Sequence, residues 1–348
     1  MEAYLPCPDL WVITTYFNPV GYQALRRNYA RFAAPIVQAG LNLVTVECAF
    51  GEGMFELTPS PQVIQVRTND MLWLKERLIN LAILRLPPHA QKIVWVDADI
   101  LFTNPAWAQQ TATLLDRWPI VQPFDCVERL KPRQNASDGG AARRSFACQL
   151  QRRPESAHLG GAAHGQPGIA WAARRDLVER HGVYDADILG GNDELFAHAA
   201  AGALNSHCIR FLTCVRLRRR PGFVDKMLNR LLRIPWPSWL AQWYLARTQP
   251  ASPAPGEQFL SHYLRWAQPF AAEVRGQIGC TPGRALHLWH GHPINRQYAS
   301  RTMITRRHVF DPERDIGLNS QGVWQWNSDK PQLHQEVRDY FFARCDDD

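Results

Sequence analysis

The sequence lacks the long apolar runs and paired cysteines that mark membrane-spanning and disulfide-rich proteins. No stretch of about 18 uninterrupted apolar residues occurs in the 348 residues, so no transmembrane helix is expected. The first residues are acidic and carry prolines, which does not predict a signal peptide. Eight scattered cysteines form no CxxC pair, which indicates reduced thiols. We therefore expect a cytoplasmic protein.

Four common nucleotide and hydrolase motifs are also absent. The chain has no GxxxxGK followed by Ser or Thr, no GxGxxG after a strand, no HExxH and no GxSxG. These absences count against a P-loop NTPase, a Rossmann dehydrogenase, a zincin and a serine hydrolase. The composition still supports a large buried core, because 46% of the residues are hydrophobic and only 20% are charged.

Short apolar segments alternate with segments that carry apolar residues at helical spacing. Strands are predicted at Leu10–Tyr16, Leu41–Glu47, Val63–Val66, Lys92–Val96, Ile120–Phe124, Gly168–Ala173 and Arg284–Trp289. Helices are predicted at Tyr22–Ala39, Met71–Leu86, Pro105–Arg117 and Arg174–His181. The alternation predicts an α/β fold with a mainly parallel central sheet flanked by helices. Residues 127–165 show no clear period and predict a mobile surface loop.

Two carboxylates, Asp97 and Asp99, directly follow the predicted strand Lys92–Val96. The carboxyl ends of parallel strands carry the ligand site in α/β proteins, and Asp-x-Asp there offers oxygen ligands to Mg²⁺ or Mn²⁺. Ordinary turn chemistry is the alternative, because Asp is common where strands end. The same tetrapeptide recurs at positions 185–188 without an apolar strand before it, so Asp185 and Asp187 are interpreted as loop residues.

Two further patterns carry chemistry-bearing residues. Gly190-Gly191-Asn192-Asp193-Glu194 opens a predicted helix, where an acid can serve as a general base or simply cap the helix. In His287-Leu288-Trp289-His290, two histidines at i and i+3 end a strand, and they can ligate one metal if the second bends back. Downstream, Arg296 and Arg301 are candidates to grip a phosphate, or they lie on a solvated helix face.

Together these blocks resemble GT-A-fold glycosyltransferases. The matching segments are LWVITTYFNP, IVWVDADILF, GIAWAARRDLVERHGVYDADILGGNDELF and HLWHG, which span Leu10 to Arg301. The third is similar to the C-terminal region of β-1,4-galactosyltransferases. The whole chain looks closest to bacterial and phage-type glycosyltransferases that carry WVDADILF and HLWHG.

The resemblance implies roles for individual residues. It makes Asp99, His287 and His290 ligands of Mn²⁺ or Mg²⁺, and Asp97 a ligand of the ribose or of the metal through water. It makes Asp193 the catalytic base, with Glu194 beside it, although Asn192 stands where the family has an acid. The residues it assigns to a UDP-sugar donor, together with the candidates from the patterns above, are Thr14, Tyr16, Asn18, Lys75, Arg77, Gly168, Trp171, Gly190, Gly191, Arg296 and Arg301. For Lys75 and Arg77 a solvated helix face is the alternative, and Trp171 and Trp289 are either sugar platforms or core residues.

The expected activity is metal-dependent transfer of a hexose from a UDP-sugar, with inversion favoured by an available base. The expected acceptor is a carbohydrate or a lipid-linked molecule. One alternative is a non-enzymatic polyanion-, carbohydrate- or nucleic-acid-binding protein, supported by charge and Trp content but not by acids and histidines at strand ends. A nucleotidyltransferase is a third, disfavoured because Tyr16-Phe17-Asn18-Pro19 is not a Gly-rich basic loop.

The positive charge is concentrated in one segment. Residues 210–235 hold eight basic residues and one acid, an excess equal to the formal +7 of the whole chain, so no nucleic-acid partner is expected. Trp236, Trp239 and Trp243 follow. Basic and apolar-aromatic residues together are typical of a segment that lies on an anionic membrane, so 210–245 predicts peripheral contact with an inner membrane face. The alternative is a solvated helical face, and vesicle co-sedimentation indifferent to anionic lipid would support it.

These assignments divide the chain into five parts. Residues 1–126 form a nucleotide-sugar-binding half and 166–209 the half with the acceptor and the base, joined by the loop 127–165. A basic aromatic helical insertion, 210–265, precedes the segment 266–348, which carries the histidines and a tail.

Overall fold

The computed structural model describes residues 2–158, 161–213, 256–298 and 300–348. Its strands are β1 (Leu10–Phe17), β2 (Asn42–Phe50), β3 (Val63–Thr68), β4 (Lys92–Val96), β5 (Ile100–Phe102), β6 (Ile120–Gln122), β7 (Cys126–Arg129), β8 (Ala142–Arg144), β9 (Ala170–Arg174), β10 (Ile278–Cys280), β11 (Arg284–His287), β12 (Ile316–Leu318) and β13 (Trp324–Trp326). Its α-helices are α1 (Gln23–Gln38), α2 (Lys75–Arg85), α3 (Trp107–Arg117), α4 (Phe146–Arg152), α5 (Arg175–His181), α6 (Asn192–Ala200), α7 (His207–Leu212), α8 (Glu257–Val274), α9 (Thr302–Arg307), α10 (Pro312–Asp315) and α11 (Pro331–Ala343). Short 3₁₀ helices lie at Pro154–His158, Gly161–His164 and Pro293–Arg296.

The central sheet has the strand order β10-β6-β9-β4-β1-β2-β3. Every neighbouring pair is parallel except the two that involve β9, which runs antiparallel to both β4 and β6. A second sheet has the order β5-β11-β7-β8, and β12 pairs with β13. The predicted α/β architecture with a mainly parallel central sheet is therefore confirmed.

Alternate residues of the central strands enter two separate hydrophobic cores. Val12 and Val94 face one core with α1 and α3, while their neighbours Ile13 and Ile93 face the other with α2, α6 and α8. This is the period-two alternation of a pleated sheet, and it explains why the strands are continuously apolar: both faces are covered by helices.

The segment 127–165, predicted as a mobile surface loop, contains regular structure and buried residues. β7 and β8 extend the second sheet, and Phe146 at the start of α4 is 1% exposed. Glu128 is also buried, and Arg284 pairs with it. The strands here are only three or four residues long, so the Arg- and Gln-rich sequence shows no period even though single apolar residues are buried.

Three other expectations concern the ends and edges of the fold. None of the seven described cysteines is in a disulfide. None of the described helices combines the length and apolarity that crossing a bilayer requires. Most of the predicted basic aromatic insertion, 214–255, lies outside the described residues, and α8 occupies its end. The contact of 210–245 with a membrane therefore stays a prediction.

Candidate functional site

The two carboxylates after β4 lie in a turn that leads directly into β5. The Asp97 amide donates to the Ile169 carbonyl at 2.8 Å, which ties the turn to the residue before β9. The Leu288 amide donates to the Asp99 carbonyl at 2.9 Å. Because β11 pairs antiparallel with β5, its last residue, His287, lies beside the turn.

Asp99, His287 and His290 form a cluster of three ligand-type side chains. The Nε2 atoms of His287 and His290 lie 3.5 and 3.4 Å from Asp99 Oδ2 and 2.8 Å from each other. The second oxygen of this carboxylate, Oδ1, is buried and has no hydrogen-bond partner among the described residues. A buried carboxylate oxygen is expensive to leave unsatisfied, so the cluster has the geometry of a cation site.

The ionisation of this cluster suits cation binding. Burial opposes ionisation of Asp99, but the neighbouring His287 outweighs it and holds the pKa of Asp99 below the usual range. Burial lowers the pKa of His290 well below the usual value, so its ring is neutral. One carboxylate and two imidazoles fit a divalent transition-metal ion such as Mn²⁺ better than Mg²⁺, which prefers oxygen ligands in an octahedron.

Arg296 lies behind the His290 ring. Its Nη2 contacts His290 Nδ1, donates to the His290 carbonyl at 2.6 Å and lies 3.0 Å from Asp346 Oδ1. If His290 Nε2 binds a cation, the ring proton must sit on Nδ1, and the guanidinium then keeps only its bonds to the carbonyl and to Asp346. Arg296, predicted to grip a phosphate, is thus held in the cavity wall by protein groups.

One buried lysine connects the turn after β4 to the start of α6. Lys75 Nζ lies 2.6 Å from Asp193 Oδ2, 3.1 Å from Asp97 Oδ1 and 3.4 Å from Glu76 Oε1. Burial opposes its charge, but the three carboxylates raise the pKa of Lys75 well above its usual value. Burial raises the pKa of Asp97 to about 6 and of Glu76 to about 8, although Lys75 opposes both shifts. Lys75 thereby fixes the predicted base against the predicted metal-binding turn.

The α2 helix begins at Lys75, four residues after the predicted start, and this places Lys75 in the site. The Trp73 amide donates to the Ile188 carbonyl instead of entering the helix, so residues 71–74 remain outside it. Trp73 itself lines the cavity, and its Nε1 donates to Glu76 Oε2 at 3.1 Å.

Three glycines allow backbone and side chains to pack closely around Asp193. A Cβ atom on Gly168 would lie 2.7 Å from Asp193 Oδ2. A Cβ on Gly190, whose φ is +82°, would lie 2.9 Å from the Trp73 ring, and one on Gly191 would lie 2.6 Å from Asp187 Oδ2. The glycines expected to admit a ligand therefore also admit the Asp193 carboxylate and the Trp73 ring.

We expect Gly168→Ala to lower the turnover rate by about 10²-fold, because the new methyl group displaces the Asp193 carboxylate and a misplacement of about 1 Å can cost that much. Steady-state kinetics on the folded variant measures this. Gly317→Ala is the matched control, since its Cβ would meet only Asn327 side-chain atoms at 3.5 Å or more. Equal rates for both variants would contradict a role for the Gly168–Asp193 contact.

The predicted site residues meet around one cavity of about 550 Å³. That volume lies in the range of roughly 300–1,000 Å³ for small-molecule sites. The predicted residues that line it are Tyr16, Asn18, Lys75, Asp97, Asp99, Gly168, Gly190, Gly191, Asp193, Glu194, His287, His290, Arg296 and Arg301.

The structure does not bring four predicted residues to this cavity. Trp289 is one of them, and its Nε1 donates to the Asp348 carbonyl at 2.8 Å. Thr14 is buried and its hydroxyl donates to the Val96 carbonyl at 2.8 Å, so it joins β1 to β4. Arg77 donates to the Gly322 carbonyl and pairs with Asp185, which lies in a loop as predicted. The Trp171 ring is fully buried in the core and its Nε1 donates to the Pro167 carbonyl.

Three predicted residues lie in the wall but are engaged by protein groups. The Tyr16 hydroxyl donates to Glu56 at 2.7 Å, and Asn18 Nδ2 donates to the same carboxylate at 3.0 Å. Arg301 donates to the Gly190 carbonyl and to the Tyr340 hydroxyl. These hydrogen bonds fix the side chains that form the rim of the cavity.

Sequence patterns missed several residues of the cavity wall. Glu76, which lines the cavity beside Lys75, is one of them, although a Lys-Glu pair directly after the apolar run Met71–Leu74 is a signal for buried charge. Arg344 and Asp346 lie in the C-terminal tail, and no local pattern relates them to the His290 region that Asp346 contacts through Arg296.

No family model and no curated protein matches the chain. Among solved structures it is similar to Drosophila β-1,4-galactosyltransferase 7 in complex with xylobiose (12% identity, TM-score 0.28, 56% of this chain and 60% of that one). It is also similar to glucosyl-3-phosphoglycerate synthase of Mycobacterium tuberculosis with Mg²⁺ and UDP (11% identity, TM-score 0.34, 91% and 86%).

A third similar structure is mannosyl-3-phosphoglycerate synthase of Rubrobacter xylanophilus (8% identity, TM-score 0.34, 92% of this chain and 85% of that one). The chain thus covers less than two thirds of the length of the galactosyltransferase structure. The β-1,4-galactosyltransferases are the enzymes that its sequence resembles.

Proposed function

We propose that the chain is a metal-dependent glycosyltransferase that moves a hexose from a UDP-sugar to an acceptor hydroxyl with inversion. The observation that carries this proposal is the Asp99–His287–His290 cluster, with its unsatisfied carboxylate oxygen, in the same cavity as a second carboxylate, Asp193. Direct displacement at a sugar carbon requires both cation ligands for the leaving diphosphate and a base for the acceptor hydroxyl.

The diphosphate end of the donor belongs beside the Asp99 cluster. Asp99, His287 and His290 would hold a divalent ion such as Mn²⁺, which would neutralise the leaving diphosphate when bound. Asp97 would contact the ribose, or the ion through water. Tyr16 and Asn18, held by Glu56, form the part of the cavity wall on which uridine would bind.

Asp193 acts as the general base, and Lys75 holds it beside the turn that carries Asp97. The acceptor oxygen bonds to the anomeric carbon, the bond from that carbon to the diphosphate breaks, and the hydroxyl proton passes to the carboxylate. Lys75 occupies Oδ2 at 2.6 Å, so we assign Oδ1 to the acceptor hydroxyl. The lysine orients the carboxylate, as a base requires.

The acceptor is a carbohydrate or a lipid-linked molecule. The enzyme takes part in polysaccharide synthesis in the cytoplasm. Contact of 210–245 with an anionic membrane face would bring such an acceptor near the cavity. These finer assignments rest on sequence composition and on the size of the cavity.

The experiment is UDP release from a panel of UDP-sugars, with Mn²⁺, with Mg²⁺ and with EDTA. We expect release from at least one donor with Mn²⁺, weaker release with Mg²⁺, and loss with EDTA that added Mn²⁺ reverses. If no donor is bound or hydrolysed in the presence of Mn²⁺, the proposed function is wrong.

A further inference from the structure

A second group of metal-ligand side chains lies apart from the Asp99 cluster. His164, His198 and Cys208 each offer one ligand atom, and these atoms lie within 4.8 Å of one another. All three residues are buried, with exposed fractions of 1%, 0% and 6%. They come from the 3₁₀ helix Gly161–His164, from α6 and from α7, three segments that are separate in the chain.

The polar atoms of the two histidines are poorly satisfied. Neither ring nitrogen of His198 has a hydrogen-bond partner among the described residues, and Nδ1 of His164 has none. The Ala157 backbone lies near the His198 ring but does not meet hydrogen-bond geometry. Both rings pack against Phe146, with centroids 5.9 and 5.5 Å away, and aromatic packing leaves nitrogen lone pairs unpaired.

We infer that His164, His198 and Cys208 bind a thiophilic divalent ion of the Zn²⁺ class. Two imidazoles and a thiolate form a donor set that Zn²⁺ favours over Mg²⁺. In a tetrahedral site with Zn–S of about 2.3 Å and Zn–N of about 2.0 Å, sulfur and nitrogen lie about 3.5 Å apart. The Cys208 Sγ and His164 Nε2 atoms are 3.9 Å apart, so a small shift suffices.

The position of this cluster gives the ion a structural role. His198 lies on α6, the helix that begins with Asn192 and carries Asp193 in its first turn. Cys208 lies on α7 and His164 just before β9. A single ion would therefore hold together three walls of the region around the proposed base without contacting the Asp99 cluster.

Co²⁺ absorption distinguishes the two sites, because only Cys208 supplies a thiolate. In the metal-free, reduced full-length protein, added Co²⁺ should produce thiolate-to-metal charge-transfer absorption. The band should persist in an Asp99→Ala/His287→Ala double variant, which disables the first cluster, and in Cys48→Ser, which removes another buried thiol. It should be lost in Cys208→Ser.

Zinc content provides the second measurement. The Asp99→Ala/His287→Ala variant should retain about one Zn²⁺ per chain after dialysis, and adding Cys208→Ser or His198→Gln should lower the affinity at least about tenfold. Zn²⁺ should raise the melting temperature of the double variant but not of the one with Cys208→Ser.

The outcomes separate this inference from the proposed function. Absence of the thiolate band and of retained Zn²⁺ in the wild-type protein would overturn the site, whatever the UDP-release result. Unchanged Zn²⁺ affinity after Cys208→Ser in the double-variant background would also overturn it, by placing the ion elsewhere. Circular dichroism without metal establishes that each variant is folded.

Discussion

Asp99→Ala should abolish Mn²⁺-dependent UDP release, with a fall in kcat/KM of at least about 10³-fold, equivalent to about 4 kcal/mol of transition-state stabilisation. Asp99 contributes the oxygen ligand of its cluster, and its Oδ1 has no described partner to lose. His287 and His290 alone offer two neutral nitrogens, which is a weak set for Mn²⁺. Initial rates at varied Mn²⁺ and donor concentrations measure the loss, and calorimetry of Mn²⁺–UDP binding should weaken in parallel.

The duplicated tetrapeptide supplies a matched control. Asp185→Asn changes a carboxylate in the same Asp-Ala-Asp-Ile context, but this one pairs with Arg77 and accepts from Asn80 outside the cavity. The control should lower the melting temperature and leave kcat/KM per folded molecule within about twofold. A folded Asp99→Ala protein with wild-type Mn²⁺ dependence would exclude Asp99 as a ligand.

Asp193→Asn should reduce transfer by about 10²–10⁴-fold while leaving UDP–Mn²⁺ binding nearly intact. The amide keeps the size of the carboxylate and an oxygen that can accept from Lys75, so the packing against Gly168 is preserved. It cannot take a proton at neutral pH. Product formation with a donor identified by the UDP-release panel measures the loss, and calorimetry measures nucleotide binding.

Glu194→Gln is the companion variant, because Glu194 is the neighbouring acid in the first turn of α6. Burial raises the pKa of Glu194, so it holds a proton more readily than an exposed glutamate. We expect the smaller loss for this variant. A larger loss of transfer in Glu194→Gln than in Asp193→Asn would identify Glu194 as the base. Loss of UDP binding in Asp193→Asn would place Asp193 in the nucleotide site.

Sequence patterns predicted most of the frame that positions the site. The strand Lys92–Val96 was predicted with its actual bounds, and Asp97 and Asp99 follow it at the edge of the sheet where ligands bind. The start of α6 beside Asp193 and the pairing of His287 with His290 were also predicted. These features are local: an apolar run, a glycine pair and an i, i+3 spacing are all visible within about ten residues.

The remaining features depend on partners that are distant in the chain. The sequence around a threonine in a strand looks the same whether its hydroxyl faces a ligand or, as that of Thr14 does, donates to the carbonyl of a neighbouring strand. Trp171 lies in a segment of small residues, and only the packing of Phe196 and Phe146 around it makes it core. The hydrogen bond between Lys75 and Asp193 joins residues 118 positions apart, so no periodicity or local motif can reveal it.

The reversed direction of β9 places both ends of one long excursion of the chain at the ligand edge of the sheet. Because β9 is antiparallel to β4 and β6, its first residues lie beside the ends of those strands, and Gln122 at the end of β6 donates to the Gln166 carbonyl at 2.9 Å. Within this excursion β7 pairs with β11, which carries His287, so most of it supports the donor site. Only the mostly exposed stretch 131–141, between β7 and β8, is open to changes of length and sequence, by evolution or by grafting, and new acceptor preferences can arise there without rebuilding the donor site.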